Sequence, residues 1–326
     1  MKVLVTGAPG WLGTSLVEAL IKKKWAVRCL VLEGSDVKEL VEKNAEIVYG
    51  ELSKNKNLSE AVKGVDVVFH CAGIIHPKKI KELYEVNYYG TKNLLDAAIA
   101  SKVKKFILVS SNSPIGLNET KELLLTEESP YNPYKNYGKS KVLAEKYVNQ
   151  MFREGKIDTT IIRPCWFYGP NQPIRQVTFF KMIKKGNPLI FGDGKNLRSM
   201  TYIDNLVDGL ILAATKKQSK GQTYWIADKR PYETIEIYET IAELLGVKLK
   251  PRFVPKFVSY LFDKSDSLLQ AFGMYIKEVH VAGEMDKNIA CSIVKAQKEL
   301  GYSPKVELKE GMRRSIEWCR QKGVEI

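Results

Sequence analysis

The stretch Thr6-Gly7-Ala8-Pro9-Gly10-Trp11-Leu12-Gly13 constrains this chain more than any other. It follows the strand-like run Val3-Leu4-Val5 and opens directly into an amphipathic window, Trp11 to Lys23. Glycines at such a junction permit a tight turn and a close approach of backbone to ligand, while the helix N-terminus favours an anion such as a pyrophosphate. A glycine-rich turn alone is a weak signal. Strand, glycines and helix in this order at the head of the chain point to nucleotide binding rather than to a plain structural turn.

The rest of the first half repeats the same alternation. Short β-branched runs fall at Val3 to Thr6, Val27 to Leu32, Glu46 to Tyr49, Val65 to His70, Lys105 to Val109 and Thr159 to Arg163. Helical windows lie between them at Val37 to Lys43, Leu58 to Val62, Ile80 to Ser101 and Tyr137 to Arg153. Continuously apolar strands, each followed by a helix, predict an α/β fold: a doubly wound parallel sheet covered on both faces. Ligands on such sheets bind at the carboxyl ends of the strands, near the point where strand order reverses. After Arg163-Pro164 the texture changes, with Gly, Pro and aromatics at Tyr168-Gly169-Pro170, Gly186-Asn187-Pro188 and Gly192-Asp193-Gly194. The boundary therefore falls near residue 165: residues 1–165 bind the nucleotide, with 200–226 returning to that domain. Residues 166–326 form mainly a smaller, mostly helical substrate-binding domain.

Composition narrows the class. The hydrophobic share of 44% and charged share of 27% are those of an ordinary globular protein. No run approaches the ~20 apolar residues that span a bilayer, and no signal-peptide plan precedes Val3, so membrane insertion is not expected. The five cysteines (Cys29, Cys71, Cys165, Cys291, Cys319) are scattered and lack metal-ligand spacing; they read as reduced thiols in a cytoplasm, with no metal site. The net charge of +14 comes from short lysine groups alternating with glutamate, and no nucleic-acid module accompanies it. Solvated helix faces explain it better than a nucleic-acid partner; a small-molecule substrate is expected.

The stretch Tyr137-Gly138-Lys139-Ser140-Lys141 carries the chemistry. Residues four apart share a helix face, so the Tyr137 hydroxyl and the Lys141 ammonium can approach one site. A nearby cation favours the phenolate and would let a tyrosine exchange a proton with an alcohol or carbonyl oxygen. Alone, such a pair is common on solvated helices. It gains meaning from the nucleotide turn before it.

Thr6 to Gly13, the Val65 to Gly73 stretch, Asn87 with Gly90-Thr91, Ser110-Ser111 and Tyr137-x-x-x-Lys141 together resemble the extended short-chain dehydrogenase/reductase family. With Arg163-Pro164 and Tyr168-Gly169-Pro170, the pattern is similar to its epimerase/dehydratase branch, across essentially the whole chain. The resemblance implies a Rossmann-type domain binding NAD or NADP and a homodimer formed by the long helices bearing Asn87 and Tyr137. It makes Tyr137 the acid/base, Lys141 its partner on the nicotinamide ribose, and Ser111 the hydroxyl on the substrate oxygen, with Asn112 and Ser113 as neighbours at the substrate. It also places Gly7, Gly10, Trp11, Leu12, Gly13, Cys71, Ala72, Gly73, Asn87, Val109 and Pro164 along the dinucleotide.

The cofactor end departs from the family's pattern. Leu32 stands where an NADP-selecting arginine is usual, Arg28 lies inside the strand, and Glu33 follows it, which leans toward NAD. Glu51-Leu52 occupies the position beside the adenine. Gly192-Asp193-Gly194-x-x-x-Arg198 is similar to the segment that sets an arginine on a nucleotide-sugar diphosphate, making a sugar epimerase or dehydratase the leading expectation. Against it, Trp166 replaces an expected asparagine, and Gly283-Glu284-Met285-Asp286 lacks the family's later arginine. Pro251 to Phe262 resembles instead the apolar cap of hydroxysteroid dehydrogenase and dihydroflavonol reductase relatives, or reads as an ordinary helix with its apolar face turned to the core. Glu145 reads as a helix-surface charge, and His70, His76 and His280 as structural or surface residues. A dinucleotide sensor without catalysis is the remaining alternative, disfavoured because Tyr137 and Lys141 are both present.

Overall fold

The computed structural model describes residues 1–326. Its centre is a seven-stranded sheet built from β1 (Lys2–Thr6), β2 (Ala26–Val31), β3 (Glu46–Tyr49), β4 (Val67–His70), β5 (Lys105–Val109), β6 (Asp158–Pro164) and, after four short strands, β11 (Gln222–Ile226). All neighbours are parallel, in the order β11-β6-β5-β4-β1-β2-β3. Strand order reverses between β1 and β4, so the crevice at their carboxyl ends is where a ligand belongs.

The continuous apolar runs follow from burial on both faces. Val3 and Val5 face one cluster with Leu16, Val17 and Leu20 of α1 (Trp11–Lys22), while Leu4 between them faces a second cluster with Leu94, Leu95, Ala144 and Val148. Successive strand side chains point to opposite faces, so between Lys2 and Thr6 at its two ends no position on β1 is free to be polar.

On the second face lie α3 (Leu58–Val62), α4 (Ile80–Tyr84), a π-helical turn at Glu85–Gly90, α5 (Thr91–Ala100) and α6 (Lys135–Arg153), while α2 (Lys38–Glu42) sends Leu40 into the first cluster. The window Ile80 to Ser101 is thus one rod widened in its middle, and the wide turn carries Asn87. Arg28, inside β2, is buried and donates to the carbonyls of Glu60, Ala61 and Lys63 at the end of α3 and to Glu46. It is a helix cap, out of reach of any cofactor phosphate.

The remaining elements form the smaller part. Short strands β7 (Trp166–Tyr168), β8 (Leu189–Phe191), β9 (Leu197–Arg198) and β10 (Met200–Tyr202) precede β11, and β12 (Tyr232–Glu233) and β13 (Arg252–Val254) follow it. They pair as β7 with β10, β8 with β13 and β9 with β12. Helices α7 (Ile174–Lys184), α8 (Ile203–Thr215), α9 (Thr234–Leu245), α10 (Lys256–Ala271), α11 (Lys277–Glu284), α12 (Val294–Leu300) and α13 (Leu308–Gln321) complete the chain. Tyr168, Phe180, Tyr202, Tyr238 and Ile316 join the same apolar cluster as Val3 and Val5, so one core runs through both parts. No helix is long and apolar enough to cross a membrane.

Candidate active site

The glycine turn is built around two close approaches. Gly7 has φ +83°, and a Cβ there would lie 2.7 Å from the Ala72 amide nitrogen, so the turn presses on the end of β4. A Cβ on Gly13 would lie 2.5 Å from the Gly7 carbonyl oxygen, which already accepts the Gly10 N–H at 2.9 Å. Only glycines permit this packing, and it leaves a cradle of backbone at the start of α1 suited to a pyrophosphate. Leu12 is buried in the core, and the Trp11 indole turns away from the cradle, donating to the Pro170 carbonyl at 2.6 Å and packing on Phe167.

Behind the cradle a chain of hydrogen bonds ties β1 to the π-helical turn. The Ala72 N–H donates to Thr6 Oγ1, Thr6 meets His70 Nδ1 at 2.8 Å, His70 Nε2 meets Thr91 Oγ1 at 2.9 Å, and Thr91 donates to the Asn87 carbonyl. The Thr91 hydroxyl proton is committed to Asn87, so His70 carries its proton on Nε2 and accepts at Nδ1. Burial, reinforced by Lys141, holds the imidazole at about 3, and it stays neutral. The Asn87 amide clasps both polar groups of Ile74 and reaches Ser140 at 3.1 Å. A Cβ on Gly73 would lie 3.1 Å from Asn87 Oδ1. Cys71 is half-buried, its thiol pushed up to about 12 by burial; it is packing, not a nucleophile.

At the end of β5 the chain brings Ser111, Tyr137 and Lys141 together. Lys141 is 3% exposed and donates to the Val109 carbonyl at 2.9 Å; burial lowers it to about 8, against the opposing pull of Glu145 and Cys71. Tyr137 is half-buried, and burial raises its phenol; the adjacent Ser111 hydroxyl and the Arg175 charge pull it back down. The Arg175 charge thus bears on the phenol in this arrangement, while the Lys141 ammonium is turned to the Val109 carbonyl. Ser111 lies 3.3–3.4 Å from Asn112 Oδ1, the Ser113 hydroxyl and the Ser113 N–H. Ser110 turns the other way, donating to Glu145 Oε1 at 2.5 Å. Glu145 is fully buried rather than a surface charge: Arg163 holds it at 2.6 Å and Tyr131 donates to it at 2.9 Å. This ion pair anchors α6 to β5 and β6, and Pro164 closes β6 beside it, buried.

At the other end of the crevice, Leu32, Glu33, Gly50, Glu51 and Lys56 line a cavity of about 250 Å³. Glu33 is exposed and meets Lys56 at 3.0 Å; Glu51 is bound to Lys54 and Ser53, and the Leu52 carbonyl accepts from Asn93.

The substrate side is less open than the sequence suggests. Trp166 is 38% exposed on β7 with its ring against Phe179. The side chain of Arg198 is only 12% exposed, donating to the Glu284 carbonyl and pairing with the Glu284 carboxylate at 3.4 Å. Arg175, at the start of α7, was not singled out from sequence. It is half-buried without an ion pair or side-chain hydrogen bond, and its charge bears on Tyr137 and His76. A signal existed: a cation in the first turn of a helix opposes the helix dipole and needs another reason to be there.

A doubly wound parallel sheet, a glycine cradle at its switch point and a Tyr/Lys/Ser cluster at the next strand end define a dinucleotide-binding oxidoreductase. Comparison with known proteins agrees. Residues 4–256 match the 3-beta hydroxysteroid dehydrogenase/isomerase family. The chain is 30% identical over 337 residues to human sterol-4-alpha-carboxylate 3-dehydrogenase, decarboxylating, covering 97% of this chain and 87% of that one. It is 29% identical over 329 residues to a UDP-glucose 4-epimerase of Vibrio cholerae, covering 97% and 94%. A UDP-glucuronic acid 4-epimerase of Bacillus cereus, solved in complex with NAD, superposes with a TM-score of 0.79 at 24% identity over 100% of both chains. The chain belongs to the 3-beta hydroxysteroid dehydrogenase/isomerase family, within the extended short-chain dehydrogenases/reductases. It is an enzyme using NAD or NADP.

Proposed function

We propose that the enzyme moves a hydride to or from a secondary carbinol carbon of a small-molecule substrate, with Tyr137 carrying the hydroxyl proton. The observation behind this reading is the meeting of Tyr137, Ser111 and Lys141 at the end of β5, beside a cradle that only glycines allow. When bound, the nicotinamide accepts or supplies the hydride. In oxidation, the Tyr137 phenolate takes the alcohol proton; in reduction, the phenol returns it. Ser111 holds the substrate oxygen, flanked by Asn112 and Ser113, and Lys141 holds the nicotinamide ribose. The backbone of Gly7, Gly10, Trp11, Leu12 and Gly13 binds the pyrophosphate. Cys71, Ala72, Gly73, Val109 and Pro164 pass the dinucleotide, and Asn87 fixes the loop at Ile74. Glu51 and Leu52 flank the adenine. Glu33, exposed at the end of β2 with no guanidinium beside it, accepts from the adenosine ribose and favours NAD.

For the substrate, residues 166–326 supply most of the walls, with Trp166 facing the crevice. Arg198 is already bound by Glu284, whose carboxylate would repel a diphosphate, and this favours a hydroxy or keto substrate with an apolar body over a nucleotide sugar. A nucleotide sugar remains the second reading: Arg198 lies on the segment expected to meet a diphosphate, and a relative of similar identity is a UDP-glucose 4-epimerase. Epimerisation of a nucleotide sugar with no added oxidant, weakened by Arg198→Ala, would establish the second reading. Reduction of the dinucleotide by a hydroxysteroid, unaffected by the same change, would establish the first. We further propose a cytoplasmic homodimer through α5 and α6; a monomer by analytical ultracentrifugation at assay concentrations would exclude the dimer.

Tyr137→Phe tests the core of the reading. Turnover should fall by ~10²-fold or more while dinucleotide binding, followed by fluorescence titration, persists. Unchanged turnover would remove Tyr137 from the assigned role.

A further inference from the structure

The cavity beside Glu33 is lined by one cation, and that cation comes from outside the strand that carries Glu33. Leu32 and Glu33 end β2, Gly50 and Glu51 follow β3, and Lys56 returns from a short hairpin between β3 and α3. Glu51 and Lys56 close this hairpin by pairing in both directions. The Glu51 N–H donates to the Lys56 carbonyl at 3.1 Å, and the Lys56 N–H to the Glu51 carbonyl at 3.0 Å. Asn55 and Asn57, on either side of Lys56, have φ of +52° and +59°, a left-handed conformation that asparagine adopts more readily than most residues. The Asn57 amide then donates to the Tyr49 carbonyl at 2.8 Å. Gly50 makes room for the return: a Cβ there would lie 2.5 Å from the Lys56 carbonyl oxygen and 2.8 Å from Leu30 on β2. The loop is built to bring Lys56 back over the end of β2.

The other charges near this cavity are spoken for. Arg28 is spent on the carbonyls at the end of α3, and Glu51 is held by Lys54 at 2.9 Å. Lys56 is left to Glu33, its Nζ 3.0 Å from Glu33 Oε2, with the two side chains 49% and 72% exposed. An ion pair so open to water is weakly held. A carboxylate at this place accepts from the ribose hydroxyls of NAD and, unaccompanied, repels the 2′-phosphate of NADP. Here it is accompanied. A lysine ammonium has three donors, and Glu33 uses one, so Lys56 can hold the carboxylate and a phosphate oxygen together. NAD offers that ammonium no phosphate to meet.

We infer that Lys56 sets the choice between the two dinucleotides: it offsets Glu33 and takes the 2′-phosphate, so the chain binds NADP as well as NAD, with NAD the tighter. The inference rests on the placing of Glu33 at the adenosine ribose and deepens it. It is independent of the substrate and of the proton carrier.

Titration calorimetry of the full chain with NAD and with NADP tests it without a substrate. The wild type should bind both, NADP more weakly by no more than about tenfold, the worth of one charge-assisted hydrogen bond. Lys56→Gln should weaken NADP by about tenfold and move NAD by less than about twofold. The gap between wild type and Lys56→Gln for NADP should narrow at high salt. Both changed side chains are exposed, so thermal midpoints should hold. Glu33→Gln reads the underlying placement separately: NAD should weaken and NADP tighten. NAD affinity unmoved by Glu33→Gln would take Glu33 off the ribose and the inference with it. NAD binding without NADP binding in the wild type, or a Lys56→Gln that weakens both dinucleotides alike, overturns the inference and leaves the hydride reading standing. A wild type that binds neither dinucleotide overturns both.

Discussion

Lys141 sits where an ammonium is costly. Burial brings its proton affinity from an ordinary lysine value near ~10.4 down to about 8, and its hydrogen bond to Val109 only partly offsets the lost hydration. Between those two pH values the unfolded chain binds more protons than the folded one, so stability rises with pH across that window. Below it both states carry the charge and the full cost is present. Lys141→Met should therefore stabilise the dinucleotide-free protein near neutral pH by roughly 2–3 kcal/mol and flatten its pH dependence at alkaline pH, while turnover is lost. Urea unfolding at neutral and alkaline pH reads both effects; a destabilised variant would mean that the Val109 hydrogen bond outweighs the burial cost. Arg175 makes a second prediction at this scale. In the proposed role of base, Tyr137 must be ionised, so oxidation should then accelerate as pH rises toward its raised value. Removing the Arg175 charge takes away a group that lowers that value. Arg175→Leu should move the alkaline inflection of the kcat/KM profile upward; an unmoved inflection would place Arg175 away from the reacting oxygen.

Element by element, the β-strands are the most legible part of the chain. Both sheet faces are buried, so Val3-Leu4-Val5 and Phe106 to Val109 read as unbroken apolar runs whatever else surrounds them. The helices announce their period, but not their irregularities or which face turns inward. The widened turn at Glu85–Gly90 leaves no mark in the amphipathic pattern, although it aims Asn87 at Ile74. Glu145 looked like a solvated charge because its partners, Arg163 on β6 and Ser110 after β5, are brought to it only by the sheet order. A buried pair of this kind is costly to break from one side: Glu145→Ala should destabilise the fold by roughly 3–5 kcal/mol through the stranded Arg163. Equilibrium denaturation of Glu145→Ala and of the double change Glu145→Leu with Arg163→Met checks the cause. The double variant should recover most of the loss, and an equal loss in both would refute the stranded charge as its source.

In the whole molecule, the α10–α11 hairpin meets the sheet domain at the start of α6, the helix that bears Tyr137, and that junction could not be read from local pattern. The segment Pro251 to Phe262 reads as turning an apolar face to the core, but Ser259, Asp266 and Gln270 are the buried residues of α10, and Phe257, Tyr260 and Leu261 are exposed. Lys135 opens α6 with φ +54°, a left-handed conformation that a residue bearing a Cβ adopts only under constraint. The constraint comes from Asp263, Ser267 and the Asp263 carbonyl, more than a hundred residues away, together with the Tyr134 and Asn136 contacts to α10. Tyr137 follows two residues later, so the hairpin fixes where the phenol stands relative to Ser111. Asp263 is partly exposed at the edge of the core, so its loss should cost little global stability. Loosening a proton-transfer group by about an ångström, by contrast, costs up to ~10²-fold in rate. Asp263→Ala should therefore lower kcat by roughly tenfold, leave dinucleotide affinity and the thermal midpoint near wild type, and leave the Tyr137 inflection in place. A fall in stability matching the fall in rate would make the hairpin ordinary scaffold. A fall in rate alone makes it the element through which the smaller part reaches the chemistry.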